Sequence, residues 1–378
     1  MKTVGIICEY NPFHNGHKKQ IDAIRRELGE DCAIVCLMSG NFVQRGLPAI
    51  FHKSLRAQAA LLSGADLVLE LPITYALSSA EGFAAGGVKI LSGFCDALCF
   101  GTETGDAKSL TATAKALLSD EFRTALREQL DKGLSFPAAR AAALAEHSAL
   151  LEKPNDILAV EYCKAILAQG SSMQPMPILR QGDYHDVTAD LENPSATSIR
   201  NLLQADEAWE AFVPESAAVI FRNAPQYCLS KGERAILARL RCMTDGEFEA
   251  LPYGSEGLWR KFMHACRSQN SIEDIIAQTK SKRYTRTRID RMLMCAYLGI
   301  TKEMLEQPAP YTRVLALNDK GRLALKQARL SGQFPHVGEA VDDPYWNLEQ
   351  RAADLYSLFC ADAPAAGQEA KQRIFFKE

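Results

Sequence analysis

Apolar and polar positions in the first half of the chain form blocks that predict strands and helices in turn. Short, continuous apolar runs predict buried strands at residues 4–8, 32–38, 67–71, 97–100 and 176–179. Apolar residues at helical spacing predict helices between them, at residues 18–28, 53–63 and 80–91. This βαβα order predicts an α/β fold whose parallel sheet is covered by helices on both faces.

The pattern changes near residue 206. From there amphipathic helical patterns dominate, as in Ala235–Leu240, with one late apolar strand at Thr312–Leu317. We therefore predict an α/β domain over residues 1–205 and a mainly α-helical C-terminal domain over residues 206–378. The length of 378 residues agrees with two domains.

Composition narrows the class of protein. Hydrophobic residues make up 47% of the chain, which is typical of a soluble globular protein, and no apolar run reaches the length of a membrane helix. A strand begins directly at the N-terminus, so we expect a cytoplasmic protein with no membrane partner. The eleven cysteines include no Cys-x-x-Cys pair, which predicts buried thiols in a reducing compartment. A net charge of −3 excludes a uniformly basic protein but permits a local basic surface.

The most informative segment lies where the first strand meets the first helix. Pro12 ends the strand, since proline cannot donate to a sheet ladder. His14 and His17 then fall at a helix N-terminus, where free N–H groups and the helix dipole favour phosphate, and Gly16 permits close approach. Imidazoles three residues apart share a face and can donate to phosphoryl oxygens. The alternative, a zinc site, requires a third ligand that does not follow at ligand spacing. We predict a nucleotide site and no metal ligands.

The string Glu9-Tyr10-Asn11-Pro12-Phe13-His14-Asn15-Gly16-His17 resembles the His-x-Gly-His signature of the nucleotidyltransferase superfamily. Taken as a whole, this nine-residue string is most similar to that of one family, the bacterial tRNA(Met) cytidine acetate ligases. Other stretches that resemble this family are Met38–Gly46, Gly64–Pro72, Phe100–Glu103, Lys153–Leu158 and Ser195–Arg200. The family pattern has Asn-Asn where this chain has Asn155-Asp156, which leaves open which of the two contacts the nucleotide.

The resemblance implies a Rossmann-like nucleotidyltransferase domain and an ATP-dependent ligase. Acetate and ATP, with Mg²⁺ bridging phosphates, would form acetyl-adenylate, and the wobble cytidine of elongator tRNA(Met) would become N4-acetylcytidine. The residues it implies for catalysis are His14, His17, Ser198 and Arg200. Those it implies for ATP binding are Ile7, Cys8, Glu9, Tyr10, Asn11, Pro12, Phe13, Asn15, Gly16, Lys18, Gly101, Asn155, Arg180 and Thr197. The sequence names no general base for acetyl transfer.

Two other functions compete with this interpretation. One is an adenylyltransferase or ligase that acts on a small-molecule carboxylic acid or a cofactor precursor, against which the long C-terminal domain counts. The other is a non-catalytic RNA-binding protein, against which the intact histidine pair counts. Alone, Ser195–Arg200 also fits a capped helix with a surface arginine.

A basic run in the C-terminal half is the predicted RNA contact. The residues predicted to bind tRNA are Lys280, Lys282, Arg283, Arg286, Arg288 and Arg291. Tyr284 lies inside the run and is expected to stack on an unpaired base. A solvated charged face is the alternative for this run. It is the interpretation that we prefer for Lys53 and Arg56, which follow the second predicted strand.

Overall fold

The computed structural model describes residues 1–134, 136–144, 148, 150–179, 194–328, 336–337 and 344–377. Its strands are β1 Thr3–Cys8, β2 Ala33–Ser39, β3 Phe42–Val43, β4 Leu47–Pro48, β5 Leu67–Leu71, β6 Ala97–Thr102, β7 Gln174–Leu179, β8 Tyr311–Asn318, β9 His336–Val337 and β10 Phe375–Lys377. Its helices are α1 Asn15–Leu28, α2 Lys53–Leu62, α3 Ile73–Ala76, α4 Ala80–Leu91, α5 Ala107–Leu118, α6 Asp120–Asp131, α7 Phe136–Leu144, α8 Pro154–Ala168, α9 Ala196–Gln204, α10 Glu215–Phe221, α11 Leu229–Cys242, α12 Asp245–Glu249, α13 Leu258–Ser268, α14 Ile272–Thr279, α15 Arg286–Leu298, α16 Lys302–Glu306, α17 Asp319–Gln327 and α18 Pro344–Ser357.

The main sheet has the strand order β10-β8-β5-β2-β1-β6-β7, and β9 pairs with β8. β1 lies in parallel between β2 and β6, and β5 continues the parallel pairing beyond β2. The parallel sheet predicted from the first half is therefore confirmed. Since parallel strands end at the same edge, the carboxyl ends of β1, β2, β5 and β6 meet there, where open α/β sheets bind ligands.

Helices cover both faces of this sheet. Ile21 and Ile24 of α1 pack with Ile6 on one side, as their spacing predicts. Val88 of α4 packs with Val35 on the other side. Successive residues of β2 contribute to opposite cores, because neighbouring side chains of a strand point to opposite faces. β7 carries Pro175 and Pro177, which suits its place at the edge of the sheet.

The chain after residue 206 is mainly helical, as predicted, but it returns to the sheet. Helices α11 to α15 and α18 build a further apolar core. The predicted late strand is β8, which pairs antiparallel with β5, and β10 joins β8 in parallel. The sheet thus contains strands from both sides of residue 205, and the domain boundary stays a prediction.

Most of the cysteines are buried, as predicted, while Cys228, Cys242 and Cys360 are not. All eleven are free thiols, and eight of them are buried. Burial raises the pKa of Cys99 and of Cys295 to about 12, which keeps both thiols protonated and unreactive. Across the described part of the chain, no helix has the length and apolar character needed to cross a membrane.

Candidate active site

A cavity of about 230 Å³ opens at the carboxyl ends of β1 and β6. Its wall is formed by the turn after β1, the starts of α1 and α9, the β3–β4 hairpin, β6 and α8. The polar residues that line it are Glu9, Asn11, His14, His17, Gln20, Gln44, Arg45, Asn155, Ser195, Thr197 and Arg200. Further lining residues include Ile7, Cys8, Tyr10, Phe83, Phe100, Gly101 and Tyr162.

The two predicted histidines stack on each other at the start of α1. His14 is the N-cap residue, and its Nδ1 accepts a hydrogen bond from the Gly16 N–H at 3.1 Å. Nδ1 of His17 accepts from the His14 N–H at 3.2 Å, and the ring centroids are 3.7 Å apart. Because both Nδ1 atoms accept, the proton of each neutral ring lies on Nε2. The pair therefore presents N–H donors at a helix N-terminus, where an anion is favoured.

Gly16 and Tyr10 hold this histidine pair in place. A Cβ atom on Gly16 would lie 2.9 Å from Cε1 of His14, so glycine is required for the ring to fold over the helix start. Tyr10 is buried, and its backbone is in the left-handed region, with a φ of 45°. Its ring centroid lies 4.8 Å from that of His17. A non-glycine residue with this backbone is typical of a constrained functional turn.

Helix α9 forms the facing wall. The Ser195 side chain caps it, as predicted, by accepting from the Ser198 N–H at 3.0 Å. Arg200 donates from Nη1 to the Asn11 carbonyl oxygen at 2.7 Å and from Nη2 to Thr197 Oγ1 at 3.0 Å. These bonds anchor α9 to the turn that follows β1. A planar guanidinium at a helix start is well suited to phosphate oxygens.

Ser198 occupies a different position from the other predicted catalytic residues. Its side chain is buried, and its hydroxyl donates to the Ser195 carbonyl oxygen at 2.9 Å. It does not line the cavity. Its geometry supports a role in shaping the start of α9, while direct participation in catalysis stays a prediction.

Asn155 and Asp156 take separate roles at the start of α8. Asn155 lines the cavity, and its Nδ2 donates to Glu103 Oε1 at 2.6 Å. Asp156 is buried, and its Oδ1 accepts from the Glu103 N–H at 2.8 Å. Asp156 therefore fixes the turn that follows β6, and Asn155 is the residue of the pair that faces the cavity beside Gly101.

An apolar wall that the sequence did not indicate lies beside Gly101. Phe100 and Tyr162 both line the cavity, with ring centroids 5.5 Å apart, and Phe83 adds a third ring. Aromatic rings of this kind provide surface against which a purine can pack. They come from β6, α8 and α4, so only the tertiary fold brings them together.

The β3–β4 hairpin contributes Gln44 and Arg45, which were not among the predicted site residues. The Gln44 N–H donates to Glu9 Oε1 at 2.9 Å, and Gln44 Nε2 donates to the Ser78 carbonyl oxygen at 3.4 Å. The only sequence signal for this hairpin was the resemblance of Met38–Gly46 to the ligase family.

The prediction that Lys53 and Arg56 form a solvated basic face is wrong. Both are buried, at 2% and 0% exposure. Lys53 forms ion pairs with Glu70 and with Glu369, and these carboxylates raise the pKa of Lys53 although burial opposes the shift. Arg56 donates to main-chain carbonyl oxygens at the ends of β1 and β2. Their partners are distant in sequence, so the local pattern gave no sign of burial.

Several predicted ATP-binding residues do not line the cavity. Phe13 is fully buried, Asn15 Nδ2 donates to the Ala211 carbonyl oxygen at 3.0 Å, and Lys18 pairs with Asp22. Pro12 and Gly16 support the turn and the helix start. Arg180 lies outside the described residues.

The basic run is only partly exposed. Arg283 pairs with Glu256 at 2.6 Å, and Arg286 donates from Nη1 to Glu273 Oε2 at 2.8 Å. Arg288 and Arg291 are half-buried. Arg288 donates to the Tyr253 carbonyl oxygen, and the Arg291 guanidinium lies over the Tyr253 ring. Lys280 and Lys282 are exposed, and neither side chain has an ion-pair partner in the described part of the chain.

Tyr284 is not available for base stacking. Its ring is buried, at 9% exposure, in the core of the C-terminal helices, and the Arg288 guanidinium lies over its face, 5.1 Å from the ring centroid. The expectation that Tyr284 stacks on an unpaired base is therefore wrong. This tyrosine, although flanked by charges in the sequence, packs into the apolar core that α11 to α15 form.

Comparison with known proteins agrees with this geometry. A family model described as HIGH Nucleotidyl Transferase matches residues 1–372. A tRNA(Met) cytidine acetate ligase of Acetivibrio thermocellus is 36% identical, with 99% of each chain covered, and one of Clostridium novyi is 37% identical, with 89% of each covered. Crystal structures of Thermotoga maritima TmcAL, apo and bound with alpha-thio ATP, share 32% identity and match the full length of both chains with TM-scores of 0.90 and 0.88. The chain belongs to the tRNA(Met) cytidine acetate ligases, within the HIGH nucleotidyltransferase family.

Proposed function

We propose that this protein is an ATP-dependent ligase that activates acetate as acetyl-adenylate and acetylates the wobble cytidine of elongator tRNA(Met) to N4-acetylcytidine. One observation carries the proposal. In a chain of this family, the stacked His14 and His17 at the start of α1 face Arg200 at the start of α9 across a single cavity. Two helix N-termini and three cationic or N–H-donating side chains suit a polyphosphate.

The first half-reaction fits these residues. A carboxylate oxygen attacks the α-phosphorus of ATP, the bond to the bridging oxygen breaks, and pyrophosphate leaves. Such a displacement needs in-line positioning and donors for the phosphate charge rather than a protein nucleophile. Nε2 of His14 and of His17, the Arg200 guanidinium and the Thr197 hydroxyl supply those donors. Ser198 supports them through the cap of α9.

The adenosine is proposed to lie towards β6 and α8. Gly101 offers bare main chain, Asn155 offers an amide, and Phe100 and Tyr162 offer ring surface. The main chain of Ile7 to Asn11 follows β1 into the same cavity. This arrangement separates the purine end of the cavity from the phosphate end at His14.

Mg²⁺ is proposed to enter bound to ATP. The described residues contain no cluster of three His, Cys, Asp or Glu side chains that would hold a metal ion. Mg²⁺ commonly keeps several waters and binds substrate phosphates rather than an all-protein cage, so this donor set fits an ion that ATP carries. When bound, it neutralises charge on the departing pyrophosphate.

The RNA partner is proposed to contact the basic run around Lys280 and Lys282, in the segment between α14 and α15. These side chains are exposed, and a local basic surface supplies the phosphate contacts that RNA binding requires. tRNA and ATP are both cytoplasmic, and the free thiols agree with a reducing compartment, so we propose a cytoplasmic location.

Transfer of labelled acetate into acid-precipitable RNA tests the function directly. Purified protein is incubated with Mg-ATP and unmodified elongator tRNA(Met), with ATP-free and acetyl-CoA controls. ATP-dependent label in the tRNA is the expected result. ATP binding without any label in the tRNA would favour the alternative of a ligase for a small-molecule acid, and the absence of both would favour a non-catalytic RNA-binding protein.

A further inference from the structure

Glu9 is the one acidic side chain among the described residues that line the cavity. It follows β1 directly, and its Oε1 accepts the Gln44 N–H at 2.9 Å. Oε2 has no hydrogen-bond or ion-pair partner among the residues that the structure describes. The hairpin therefore provides a hydrogen-bond donor for one oxygen of the Glu9 carboxylate but not for the other.

A carboxylate is an unfavourable neighbour for ATP. Charges of like sign repel more strongly in a partly enclosed site than in water, so Glu9 opposes the binding of triphosphate. A glutamine would accept the same hydrogen bond from Gln44 without that repulsion. The negative charge is thus better matched to a ligand that donates a hydrogen bond or loses a proton.

The β3–β4 hairpin contacts both Glu9 and α15, the helix that contains Arg286, Arg288 and Arg291 of the basic run. A Cβ atom on Gly46, between β3 and β4, would lie 2.5 Å from the main-chain N of Arg291 in α15. Only glycine allows the hairpin to lie this close to the helix whose start carries the basic run. Glu9 is therefore held by an element that packs against α15, the helix that follows the exposed lysines of the proposed RNA surface, whereas Gly101 and Asn155 lie on other elements of the wall.

We propose that Glu9 is the catalytic base of acetyl transfer, binding the exocyclic amine of the acceptor cytidine through Oε2 and accepting its proton. This inference rests on the proposed function. Cytosine N4 is a hydrogen-bond donor, and carboxylates are its usual protein acceptors. As N4 bonds to the acetyl carbonyl carbon, the carbonyl–O bond to AMP breaks and AMP leaves with the electron pair. The N4 proton passes to Glu9, which later releases it to water.

Glu9→Gln separates this role from a structural one, because the glutamine Oε1 still accepts from the Gln44 N–H. Two half-reactions are measured on the full-length protein: acetate-dependent ATP–pyrophosphate exchange, and single-turnover transfer of labelled acetyl groups to unmodified elongator tRNA(Met). At saturating ATP we expect exchange to change by less than about twofold and transfer to fall about 100-fold, the usual size of a general-base contribution. Glu9→Asp keeps a carboxylate and should transfer faster than Glu9→Gln. Glu27→Gln, on the exposed face of α1, is the matched control and should leave both rates unchanged.

Each other outcome overturns the inference. Equal losses in both half-reactions, or a raised Mg²⁺ requirement for exchange, would place Glu9 in the adenylation step. If Glu9→Gln transferred acetyl groups at the wild-type rate, the only role left for Glu9 would be its contact with the hairpin. A wild-type protein that exchanges pyrophosphate with acetate but never labels the tRNA overturns the proposed function itself, whereas the first two outcomes leave that function standing.

Discussion

The guanidinium of Arg56 donates from Nη1 to the main-chain carbonyl oxygen of Glu9 at 2.5 Å. The same side chain donates from Nε to the Phe51 carbonyl oxygen at 2.9 Å and from Nη1 to that of Ser39 at 3.2 Å. Arg56 is fully buried, and burial lowers the pKa of its guanidinium. One arginine of α2 thus ties together the ends of β1 and β2, next to the cavity.

Arg56→Met should destabilise the protein strongly. The substitution leaves several buried carbonyl oxygens without donors, at about 1–3 kcal/mol for each unsatisfied group, so we expect the free energy of unfolding to fall by about 3 kcal/mol or more. Urea unfolding followed by circular dichroism measures the change. Arg127→Met, at an exposed position of α6, is the control and should stay within about 0.5 kcal/mol of wild type. Equal midpoints for the two variants would contradict the structural role of Arg56.

His14→Asn should remove adenylation while preserving the fold. Asparagine is a good N-cap residue and still accepts from the Gly16 N–H, but it lacks the imidazole Nε2–H that we assign to phosphate. We expect acetate-dependent ATP–pyrophosphate exchange to fall by about 100-fold or more, as for other donors to a developing charge. The tRNA dissociation constant should remain within about twofold. The control is His264→Ala, which is exposed on α13. Exchange at the wild-type rate would remove His14 from the mechanism.

Local sequence signals predicted the parts of this molecule that depend on local structure. The strand before Glu9, the helix that begins beside His14 and the Ser195 cap each follow from neighbouring residues, and all three are confirmed. The cavity position also followed, because parallel strands place their carboxyl ends at one edge.

The errors at Lys53 and Tyr284 concern contacts that only the tertiary fold creates. Lys53 was expected in solvent because its partner Glu369 lies 316 residues away. Tyr284 was expected on RNA because its charged neighbours concealed its packing in a helical core. Gln44 and Arg45 were missed because they lie in the turn between two strands of two residues each, and strands this short show almost no periodicity. Composition and spacing do not encode such contacts.

Because of Glu349, the free energy of unfolding should fall as the pH rises towards 8. Burial and the nearby Glu70 carboxylate raise the pKa of Glu349 to about 8, while Lys53 opposes the shift. The folded chain therefore keeps a proton that the unfolded chain has already lost, so the free energy of unfolding decreases as pH approaches 8 and levels off above it. From about pH 6.5 to about pH 8.5 we expect a loss of about 1–2 kcal/mol.

Glu349→Gln isolates this effect. The amide oxygen of glutamine can still accept from the Ile73 N–H, which Glu349 Oε1 accepts at 2.9 Å, but it carries no titrating group. Urea midpoints of the variant should fall less than those of wild type over the same range, since only the buried thiols then add to the pH dependence, and Glu303→Gln on the exposed face of α16 is the control. Staying above pH 6.5 avoids His52, whose pKa burial lowers to about 4. Parallel pH profiles for wild type and Glu349→Gln would show that Glu349 is ionised in the folded protein.

The double variant Lys280→Glu/Lys282→Glu should weaken tRNA binding without changing the affinity for ATP. These two lysines are the exposed members of the basic run without an acidic partner in the described structure, whereas Arg283 and Arg286 are engaged with Glu256 and Glu273. Each lost phosphate contact should reduce the slope of log affinity against log salt by about 1. Filter binding over a salt series measures that slope, and Lys115→Glu/Lys132→Glu, at exposed positions of α5 and at the end of α6, is the charge-matched control. An unchanged slope would assign the run to a solvated face, with the tRNA bound elsewhere.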